Sequence, residues 1–409
     1  MKRLKVILMG EQVGVLIQSR EGKLSFHYDP QWLAKEGSLP LSQSLPLRAE
    51  KFNQKECAPF FGGLLPEENN REIIARNLGI TPRNDFAMLR EIGGECAGAA
   101  SIIDPDQTPP TPTKEYEPIS DADLIAILDQ LPQRPLLAGK AEIRLSLAGA
   151  QNKVALLSDA TGFAIPLHES PSTHILKPEH NRFPGLADNE AYCLKLASAL
   201  GLKVCDAEVT QQGPHRCLLV TRYDRILREG SVQRLHQEDF CQALAIPSLT
   251  KYQSEGGPDL AQCFELVRRA SSSPAKDLLQ LFYCVLLNFL MGNHDAHGKN
   301  FSLLYSPIND RSAIRLAPFY DLISTAIYPE LSGKMAMKIG KSYKPEAMRL
   351  RDWELYWKAI GFSSNQARRQ SLQFIDALTE RSGPPANEIE SRIQTIITQR
   401  SKYLRRLFV

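Results

Sequence analysis

The chain has 409 residues, of which 43% are hydrophobic and 23% are charged, and its formal net charge at pH 7 is +3. This length exceeds what one ordinary hydrophobic core requires, so we expect two or three lobes. The composition is typical of a folded globular protein and excludes a disordered one. The net charge is too small for a protein that holds nucleic acid unaided.

The N-terminal segment MKRLKVILMG has two early cations and a short apolar run that ends at Gly10, which predicts a first β-strand rather than a secretion signal. The longest apolar stretch, residues 278–291, is shorter than the roughly 18 residues that a membrane span needs, and it predicts a buried helix. The eight cysteines are scattered without a CxxC pair, which predicts small core residues rather than disulfides or a zinc site. We therefore expect a cytoplasmic protein in a reducing compartment, with no membrane partner.

Up to residue 103 the pattern predicts a β-hairpin, a third strand and two helices. These elements lie at 4–9 with 13–18, 23–28, 66–78 and 84–92. Pro66 at the first helical position and Asn84 as an N-cap are typical helix starts. The glycine-rich run GGECAGAA at 93–100 predicts a turn, because no strand lysine follows it closely. Residues 104–118, rich in proline and threonine, predict a linker.

The rest of the chain predicts a helix, four strands, a second helix, two more strands and a mostly helical remainder from residue 237. These elements lie at 120–131, 143–147, 153–157, 163–166, 173–177, 187–200, 203–210 and 216–223. The fold class is α+β, with a β-rich N-terminal part and a mostly helical C-terminal lobe, which is the layout of a two-lobed enzyme with a cleft. The predicted domains are an N-terminal subdomain at 1–103, the linker at 104–118, an N-lobe at 119–223 and a helical C-lobe at 224–409.

The stretch GNHDAHGKNFSLLY, residues 292–305, places several polar side chains directly after the predicted buried helix, which is costly unless they coordinate a ligand. Asp295, Asn300 five positions later and the distant Asp321 form the set that phosphoryl transfer from a nucleotide requires. One carboxylate accepts the proton of the attacking hydroxyl, while an amide oxygen and a second carboxylate hold magnesium. The spacing matches the catalytic loop and metal-binding aspartate of protein kinases.

Two other interpretations of this stretch stay open. Asp295 and Asn300 are also residue types that cap helices and turns. In addition, the adjacent His294 and Asp295 are suitable ligands for one metal of a phosphohydrolase. Such a site would need further histidines, and the only other one nearby is His297, with His236 far upstream.

A kinase also requires a phosphate-binding loop and a strand lysine that pairs with a helix glutamate. Lys177 ends the predicted strand THILK, and Glu190 opens the next predicted helix, so both appear in the required order. The loop AGAQN at 148–152 is small enough for backbone amides to approach phosphate oxygens. The segment LLVTRYDR at 218–225 predicts a hinge that holds adenine through main-chain groups of residues 221–223.

Together these segments resemble one family, the HipA toxins, which are serine/threonine kinases of bacterial type II toxin–antitoxin modules. The resemblance rests on pieces spread through nearly the whole chain. In chain order they are FFGGLLPE, IGGECAGA, LSLAGAQNKVALL, HILKP, NEAYCLKLA, RYDR, RLHQEDFCQAL, KYQSEGGP, GNHDAHGKNFSLLY and LAPFYDLIS. The resemblance implies a two-lobed, protein-kinase-like fold that uses ATP and Mg²⁺.

By position, the resemblance implies Asp295 as the catalytic base, Asn300 and Asp321 as the magnesium ligands, and Lys177 as the phosphate-binding lysine with Glu190 as its ion-pair partner. The other residues of the implied ATP site are Ala148, Gly149, Ala150, Gln151, Asn152, Lys153, Thr221, Arg222, Tyr223, His297, Gly298, Lys299 and Tyr320. The family has a glutamate where this chain has Thr221, so adenine recognition there would depend on backbone groups.

Regulation and partners are also implied by the resemblance. The family autophosphorylates a serine just before the phosphate loop, which Ser146 matches. A phosphate there adds about −1.5 to −2 charges beside the ATP phosphates, and this should expel the loop and inactivate the enzyme. Family members are held inactive by a small HipB-like helix-turn-helix antitoxin that binds operator DNA, with the kinase as co-repressor. The first lobe is then expected to dock the antitoxin. The basic C-terminal helix at 399–409 is a candidate DNA contact, although its pattern is first of all that of an amphipathic surface helix.

The characterised substrate class of the family is an aminoacyl-tRNA synthetase, glutamyl-tRNA synthetase in particular, whose phosphorylation causes growth arrest and persistence. Two other functions stay open from the sequence. A small-molecule kinase of the aminoglycoside or choline type shares the roles of Asp295 and Asn300. A catalytically silent co-repressor would use the fold only as a binding module, but a pseudoenzyme is free to lose the catalytic set that this chain retains.

Overall fold

The computed structural model describes residues 1–107, 115–139, 143–180, 182–228, 231–308 and 311–409. Contacts divide the chain into two compact units. The first unit comprises Met1–Pro178, Thr210–Leu249 and Leu304–Ile314, and the second comprises Glu179–Val209, Thr250–Leu303 and Arg315–Val409. The domain bounds expected from the sequence stay predictions, and residues 108–114 of the predicted linker lie outside the described residues.

The β-strands follow one another along both units. They are Lys2–Leu8 (β1), Glu11–Gln18 (β2), Leu24–Tyr28 (β3), Glu95–Cys96 (β4), Ala100–Ile103 (β5), Tyr116–Ile119 (β6), Leu145–Ser146 (β7), Val154–Asp159 (β8), Gly162–Pro166 (β9), His174–Pro178 (β10), Ala207–Gln212 (β11), His215–Thr221 (β12), Arg225–Arg228 (β13), Ser231–Arg234 (β14), His236–Asp239 (β15), Ser302–Ile308 (β16) and Arg311–Leu316 (β17).

The α-helices are short in the first unit and longer in the second. They are Pro30–Ala34 (α1), Gln54–Gly63 (α2), Glu68–Asn77 (α3), Asp85–Ile92 (α4), Asp121–Gln130 (α5), Leu186–Ala199 (α6), Phe240–Ala243 (α7), Leu260–Ala270 (α8), Pro274–Met291 (α9), Leu350–Ala359 (α10), Ser364–Arg381 (α11) and Glu388–Phe408 (α12).

Two sheets form the framework of the first unit. One has the order β3-β2-β1-β5, and the other has the order β11-β12-β10-β8-β9-β6. Strand β10 lies inside the second sheet and is antiparallel to both β12 and β8. One continuous cluster of buried apolar side chains extends from Leu4 to Leu219 and includes residues of both sheets. The N-terminal hundred residues and the strands that follow them therefore share one hydrophobic core.

The glycine-rich run 93–100 is more than the predicted turn. Its residues Glu95 and Cys96 form β4, which pairs in parallel with Leu145 and Ser146 of β7. The next strand, β5, joins the first sheet beside β1. The run thus connects that sheet to the segment that precedes the candidate phosphate loop. The predicted turn is confirmed at residues 93–94 and 98–99, but the short strands were missed because strands of this length have no periodicity to read.

A buried cluster of charges holds this run to the RYDR segment of the first unit. The Glu95 carboxylate accepts hydrogen bonds from Nη2 of Arg225 at 2.7 Å and from Nη1 of Arg222 at 3.3 Å. Both arginines also pair with Oδ2 of Asp224, at 2.8 and 2.9 Å. Burial alone would raise the pKa of the Glu95 carboxyl, but the guanidinium groups of Arg222, Arg225 and Arg234 hold that pKa below its ordinary value. Glu95, Asp224, Arg222 and Arg225 are stable inside the protein because each one has a partner of opposite charge, and Arg234 donates to the carbonyls of Gly98 and Ala100.

The second unit is built around α9, which is buried along most of its length. Four helices pack against it, namely α6, α8, α11 and α12. Aromatic side chains fill the core beside it: the ring centroids of Trp353 and Phe408 lie 5.4 Å apart, and those of Phe289 and Trp353 lie 5.1 Å apart. Such edge-to-face pairs fix the positions of the C-terminal helices relative to α9.

Most of the predicted elements are confirmed, with ends that differ by a few residues. Asn84 caps α4 as predicted and accepts a hydrogen bond from the Ala87 N–H at 3.1 Å. Pro66 was wrongly taken as the first helical residue, because α3 begins at Glu68 after the N-cap Glu67. All eight cysteines are buried without disulfides, as expected. Among the residues that the structure describes, every helix is too short or too polar to cross a bilayer.

The Glu95 cluster makes a stability prediction. Glu95→Gln should lower the free energy of unfolding by about 3 to 5 kcal/mol, because it keeps the side-chain shape but removes one of the two buried carboxylates that Arg222 and Arg225 share. Urea unfolding of the full chain measures this change. Glu21→Gln is the matched control, since it removes only an exposed pair with Lys23, at 3.2 Å, and should have little effect. A Glu95→Gln variant as stable as the control would contradict the assignment.

Candidate active site

Asp295 lies in the loop that follows α9. The helix ends at Gly292, whose φ of +80° lies in the left-handed region that favours glycine. A Cβ at this position would lie 2.6 Å from Cβ of Ala326, so a larger residue meets both strain and a clash. The chain therefore turns out of the buried helix at a fixed angle, which sets the start of the candidate catalytic loop.

Hydrogen bonds on both sides fix Asp295 in that loop. Its N–H donates to Oδ1 of Asn293 at 3.0 Å, and Nδ2 of Asn293 donates to Oδ1 of Asn288 on α9 at 3.1 Å. The Asp295 carbonyl accepts from the His297 N–H at 2.8 Å and from Nδ2 of Asn300 at 3.1 Å. The structure thus brings Asp295 and Asn300 together and anchors both to the buried helix.

Tyr252 contacts the carboxylate of Asp295 directly, and sequence reasoning gave it no role. Its hydroxyl donates to Oδ1 of Asp295 at 2.6 Å, and its ring lies edge-on to the His297 ring with centroids 5.2 Å apart. This contact fixes the orientation of the carboxylate. The segment KYQSEGGP was visible in the sequence as one piece of the family resemblance. Only the fold shows that its tyrosine reaches Asp295, more than forty positions away.

His294 is held from three sides. Its N–H donates to Oγ1 of Thr325 at 2.8 Å, Nδ1 lies 3.1 Å from the Ser332 carbonyl, and Nε2 lies 2.9 Å from Nη2 of Arg400. Because a carbonyl only accepts, Nδ1 carries the proton and Nε2 accepts from the arginine. Burial and the nearby Arg400 guanidinium lower the pKa of His294, so its ring is neutral. Both ring nitrogens are thus engaged, which removes His294 as a ligand for the phosphohydrolase alternative.

The segment with Asp321 lies beside the candidate catalytic loop. The Tyr320 hydroxyl donates to the carbonyl of Lys299 at 2.7 Å, one residue before Asn300, and it also lies 2.7 Å from Oγ of Ser302. Asp321 itself has a φ of +56°, which is unusual for a residue other than glycine. This conformation costs free energy, and contacts with the surroundings must offset that cost. Eight non-glycine residues of the described chain have a positive φ, and Asp321 is the one that lies beside the candidate catalytic loop, where strained residues tend to cluster.

A buried carboxylate on α9 holds the strand that leads to this segment. Asp277 accepts from Nη2 and Nε of Arg315 at 2.7 and 3.0 Å, and from the Leu316 N–H at 2.9 Å. Burial alone would raise the pKa of Asp277, but the hydrogen bonds from Arg315 and Ser271 hold it below its ordinary value. The end of β17 is therefore fixed to α9, the same helix that positions Asp295.

The residues predicted to bind magnesium have suitable chemistry. Mg²⁺ prefers oxygen donors and usually takes one or two carboxylates from the protein, with phosphate and water oxygens completing its shell. Asn300 uses its amide nitrogen to contact Asp295, and its amide oxygen is a donor of the required type, as is the Asp321 carboxylate. In the described part of the chain there is no cluster of three or more histidine, cysteine, aspartate or glutamate residues arranged to hold a metal.

In the first unit, three side chains hold the loop 148–153 in place. Nδ2 of Asn70, on α3, donates to the Ala150 carbonyl at 2.8 Å, and Nζ of Lys153 donates to the Ala148 carbonyl at 2.7 Å. Just before the loop, Oγ of Ser146 donates to the Leu64 carbonyl at 2.7 Å. Residues of the N-terminal segment therefore contact the loop at Ala150 and the chain just before it at Ser146, and sequence reasoning did not foresee the contact from Asn70.

Lys177 lies on the interior strand β10, opposite Leu218 of β12, and its side chain is only 9% exposed. A lysine on a strand is ordinarily a solvated residue at the edge of a sheet, and this interpretation does not apply to Lys177. Glu190 lies on α6 of the second unit and is 2% exposed. The ion pair between these two residues stays a prediction, as do their roles.

The three hinge candidates, residues 221–223, differ in their exposure and in the contacts that their side chains make. The side chain of Arg222 is 2% exposed and belongs to the Glu95 cluster, and the Arg222 backbone N–H donates to the Thr173 carbonyl at 2.9 Å. Tyr223 donates its hydroxyl to Gln237. Thr221 is exposed at the end of β12. Arg222 thus fixes the hinge backbone through its side chain and its N–H, so any contact with adenine there must come from other groups.

Comparisons with known proteins agree with this arrangement. A model of the HipA N-terminal domain matches residues 4–103, and a model of the HipA-like C-terminal domain matches residues 145–391. Y4mE of Sinorhizobium fredii, a protein provisionally named a kinase, is 48% identical over 376 residues, which cover 91% of this chain and 89% of that protein. The serine/threonine-protein kinase toxin HipA of Shewanella oneidensis is 29% identical over 84% of this chain and 82% of its own.

A solved structure shows the same architecture. A chain of the Shewanella oneidensis toxin–antitoxin complex of HipA, HipB and operator DNA superposes with a TM-score of 0.83 and 27% identity, over 98% of this chain and 97% of that chain. The predicted α+β, kinase-like fold is therefore confirmed. With both family models matched along the chain, this protein belongs to the HipA family.

Proposed function

We propose that this chain is an ATP- and magnesium-dependent serine/threonine protein kinase and the toxin of a type II toxin–antitoxin module. Membership of the HipA family and the kinase names of its relatives support phosphotransfer. The observation that carries the proposal is the geometry around Asp295, whose backbone is tied to Asn293 and Asn300 and whose carboxylate receives the hydroxyl of Tyr252. A carboxylate held this rigidly beside an amide oxygen donor suits a general base for an attacking hydroxyl.

Each proposed role follows from the chemistry of the side chain. Asp295 orients the acceptor hydroxyl and takes its proton, and Tyr252 positions Asp295. Asn300 and Asp321 would hold Mg²⁺, which when bound with ATP neutralises charge on the β- and γ-phosphates. In the first unit, Lys177 would bind the α- and β-phosphates, while backbone amides of residues 148–153 would face the phosphate oxygens.

Asp295→Asn should lower the rate of phosphate transfer to a protein acceptor by roughly 10² to 10⁴, because general-base catalysis typically supplies that factor. Nucleotide affinity should change little, since the neutral side chain keeps the same shape. Transfer from radiolabelled ATP and equilibrium binding of ATP measure the two effects. Asp206→Asn, an exposed position in the same unit, is the control. Transfer at the wild-type rate by Asp295→Asn would refute the assignment.

Tyr252→Phe should reduce kcat by about tenfold and leave KM for ATP nearly unchanged, because a hydrogen bond to a charged group is worth roughly 1.5 to 3 kcal/mol. The acid limb of the kcat profile should move to higher pH, since the lost hydrogen bond favoured the ionised carboxylate. Steady-state kinetics between pH 5 and 9 test both effects. Tyr283→Phe removes a hydroxyl elsewhere in the unit, on a ring stacked on Phe374, and should leave both unchanged. A lower kcat with an unmoved pH profile would show that Tyr252 is only structural.

We also propose that the enzyme inactivates itself by autophosphorylation of Ser146. The Ser146 side chain is fully buried and its hydroxyl donates to Leu64, so the loop must leave this position before the serine can accept a phosphate. A phosphate has no proton to donate to the Leu64 carbonyl at neutral pH and adds negative charge beside the ATP phosphates. The modified loop should therefore not return.

Ser146→Ala should abolish self-labelling and retain phosphorylation of an acceptor protein. Mass spectrometry after incubation with MgATP locates the modified residue in the wild type and in the variant. Ser158→Ala, on β8 of the same unit, should label like the wild type. Self-labelling of Ser146→Ala at the wild-type level, on any other serine or threonine, would place the switch at another residue.

The partners follow from the same family. The similar Shewanella structure is a complex of HipA with HipB and operator DNA, which supports a HipB-like helix-turn-helix antitoxin and DNA binding mainly through it. Co-repression and glutamyl-tRNA synthetase as substrate are parts of the proposal. Phosphorylation of purified glutamyl-tRNA synthetase by this chain tests the substrate. Transfer to an aminoglycoside or to choline, without transfer to any protein, would instead make it a small-molecule kinase.

A further inference from the structure

Arg400, on helix α12, has no role in the function proposed above, yet its side chain reaches the candidate catalytic loop. Nη2 of Arg400 lies 2.9 Å from Nε2 of His294, the residue directly before Asp295. Nη1 donates to the Phe289 carbonyl of α9 at 2.5 Å, and the guanidinium lies over the Phe289 ring at 5.2 Å from its centroid. One side chain therefore contacts both the end of the buried helix and the loop that follows it.

The packing of α12 fixes the base of the Arg400 side chain. Helix α12 packs against α9, and three residues close to Arg400 along it, Ile397, Ser401 and Leu404, are buried. The arginine thus starts from rigid backbone. Its planar guanidinium then presents N–H groups to two acceptors in a fixed geometry, which a lysine ammonium does not reproduce.

The charge of Arg400 suits its position at the end of α9. The last carbonyls of a helix have no partner within it and carry partial negative charge, so a cation is favourable there. Burial lowers the pKa of Arg400 to about 10, and the Glu346 carboxylate offsets part of that effect. The guanidinium is therefore charged at neutral pH and acts only as a donor, so Nε2 of His294 must accept from it.

His294 transmits this contact to Asp295. The His294 carbonyl accepts from the Ala336 N–H at 2.8 Å, and the Asp295 N–H donates to Oδ1 of Asn293 at 3.0 Å. The peptide group that joins the two residues is thus held at both of its polar atoms. Because Arg400 fixes the His294 ring as well, the residue before Asp295 is held through both its backbone and its side chain.

We propose that Arg400 is a positioning residue of the phosphate transfer, which acts through the neutral His294 imidazole to hold Asp295 in place for the acceptor hydroxyl. This inference rests on the proposed kinase function and adds a residue to its machinery. An arginine that only capped α9 would need no contact beyond the Phe289 carbonyl. The second N–H group, directed at His294, is what connects α12 to the backbone of the proposed base.

Steady-state kinetics of the full chain test the proposal, with MgATP and a protein acceptor that the wild type phosphorylates. Arg400→Ala should lower kcat by about 10- to 100-fold and leave KM for ATP nearly unchanged, because the lost contacts position the base and not the nucleotide. Arg405→Ala is the matched control, since it removes an arginine of the same helix that is 40% exposed and pairs with Asp376. The control should keep the wild-type kcat.

Two substitutions of His294 separate positioning from a general loss of packing. The amide of a glutamine reaches the place of Nε2, where its oxygen accepts from Arg400, whereas the amide of an asparagine reaches only the place of Nδ1. His294→Gln should therefore keep most of the wild-type kcat, and His294→Asn should lose about as much as Arg400→Ala. Equal losses in the two His294 variants would show that the contact with Arg400 is not what positions the loop, contrary to the proposal.

The double variant Arg400→Ala/His294→Asn completes a mutant cycle. Both single substitutions break the same contact, so the double variant should be no slower than the slower single variant. Losses of kcat that multiply would mean that the two residues act independently, which would overturn the proposal.

Thermal unfolding of each variant shows whether the fold is retained. If Arg400→Ala does not fold, Arg400→Lys takes its place, because it keeps the positive charge at the end of α9 and lacks the planar fork. We expect Arg400→Lys to lose kcat while KM for ATP stays near the wild-type value. A folded Arg400→Lys with wild-type kcat would refute the role of the second N–H group.

Failure of this inference and failure of the proposed function are distinguishable. If the wild type transfers phosphate and Arg400→Ala transfers it equally fast, the kinase function stands and Arg400 only caps α9. If the wild type neither phosphorylates an acceptor protein nor labels itself, the kinase function fails, and this inference fails with it.

Discussion

The candidate chemistry depends on how one buried helix ends. Helix α9 stops at Gly292, in a conformation and a space that suit only glycine, and Asn288 on its last turn holds Asn293 of the loop that follows. These contacts also position Asp295, two residues further, because its N–H donates to the Asn293 side chain. The same helix also holds the strand that leads to Asp321, through Asp277 and Arg315. The proposed base Asp295 and the strand that leads to the proposed metal ligand Asp321 are therefore held by the same rigid helix. Catalytic side chains need such a rigid support to keep their positions within a fraction of an ångström.

In the first unit, the loop 148–153 consists largely of small residues that pack little against their surroundings, so other contacts must fix its position. Polar contacts from the N-terminal segment do so. Asn70 holds the Ala150 carbonyl, Leu64 accepts from Ser146, and Glu95 ties the glycine-rich run to the arginines that follow the second sheet. The contacts of Ser146 and Glu95 are buried and that of Asn70 is partly buried, so the buried ones are strong when complete and costly when broken. Polar contacts of this kind specify one position of the loop more sharply than apolar packing does.

Much of the fold was predictable from local pattern. The hairpin β1–β2, the Asn84 cap and the buried helix α9 follow from alternation, capping chemistry and apolar runs. Asp295 and Asn300 could be paired because they are close in sequence. By contrast, Tyr252 and Asn70 reach their partners over 43 and 80 positions, and no local pattern encodes such contacts. The role of Glu95 was missed for the same reason, since a short glycine-rich run is read as a turn unless its distant arginines are known.

The shared core of the first unit bears on how the two HipA domains relate. The N-terminal match ends at residue 103 and the C-terminal match begins at residue 145, yet the apolar cluster from Leu4 to Leu219 includes both. Neither domain can bury its apolar surface in this way alone. A chain cut between residues 103 and 145 would therefore expose apolar surface on both pieces until they reassociate. The boundary between the two family matches does not separate two closed hydrophobic cores.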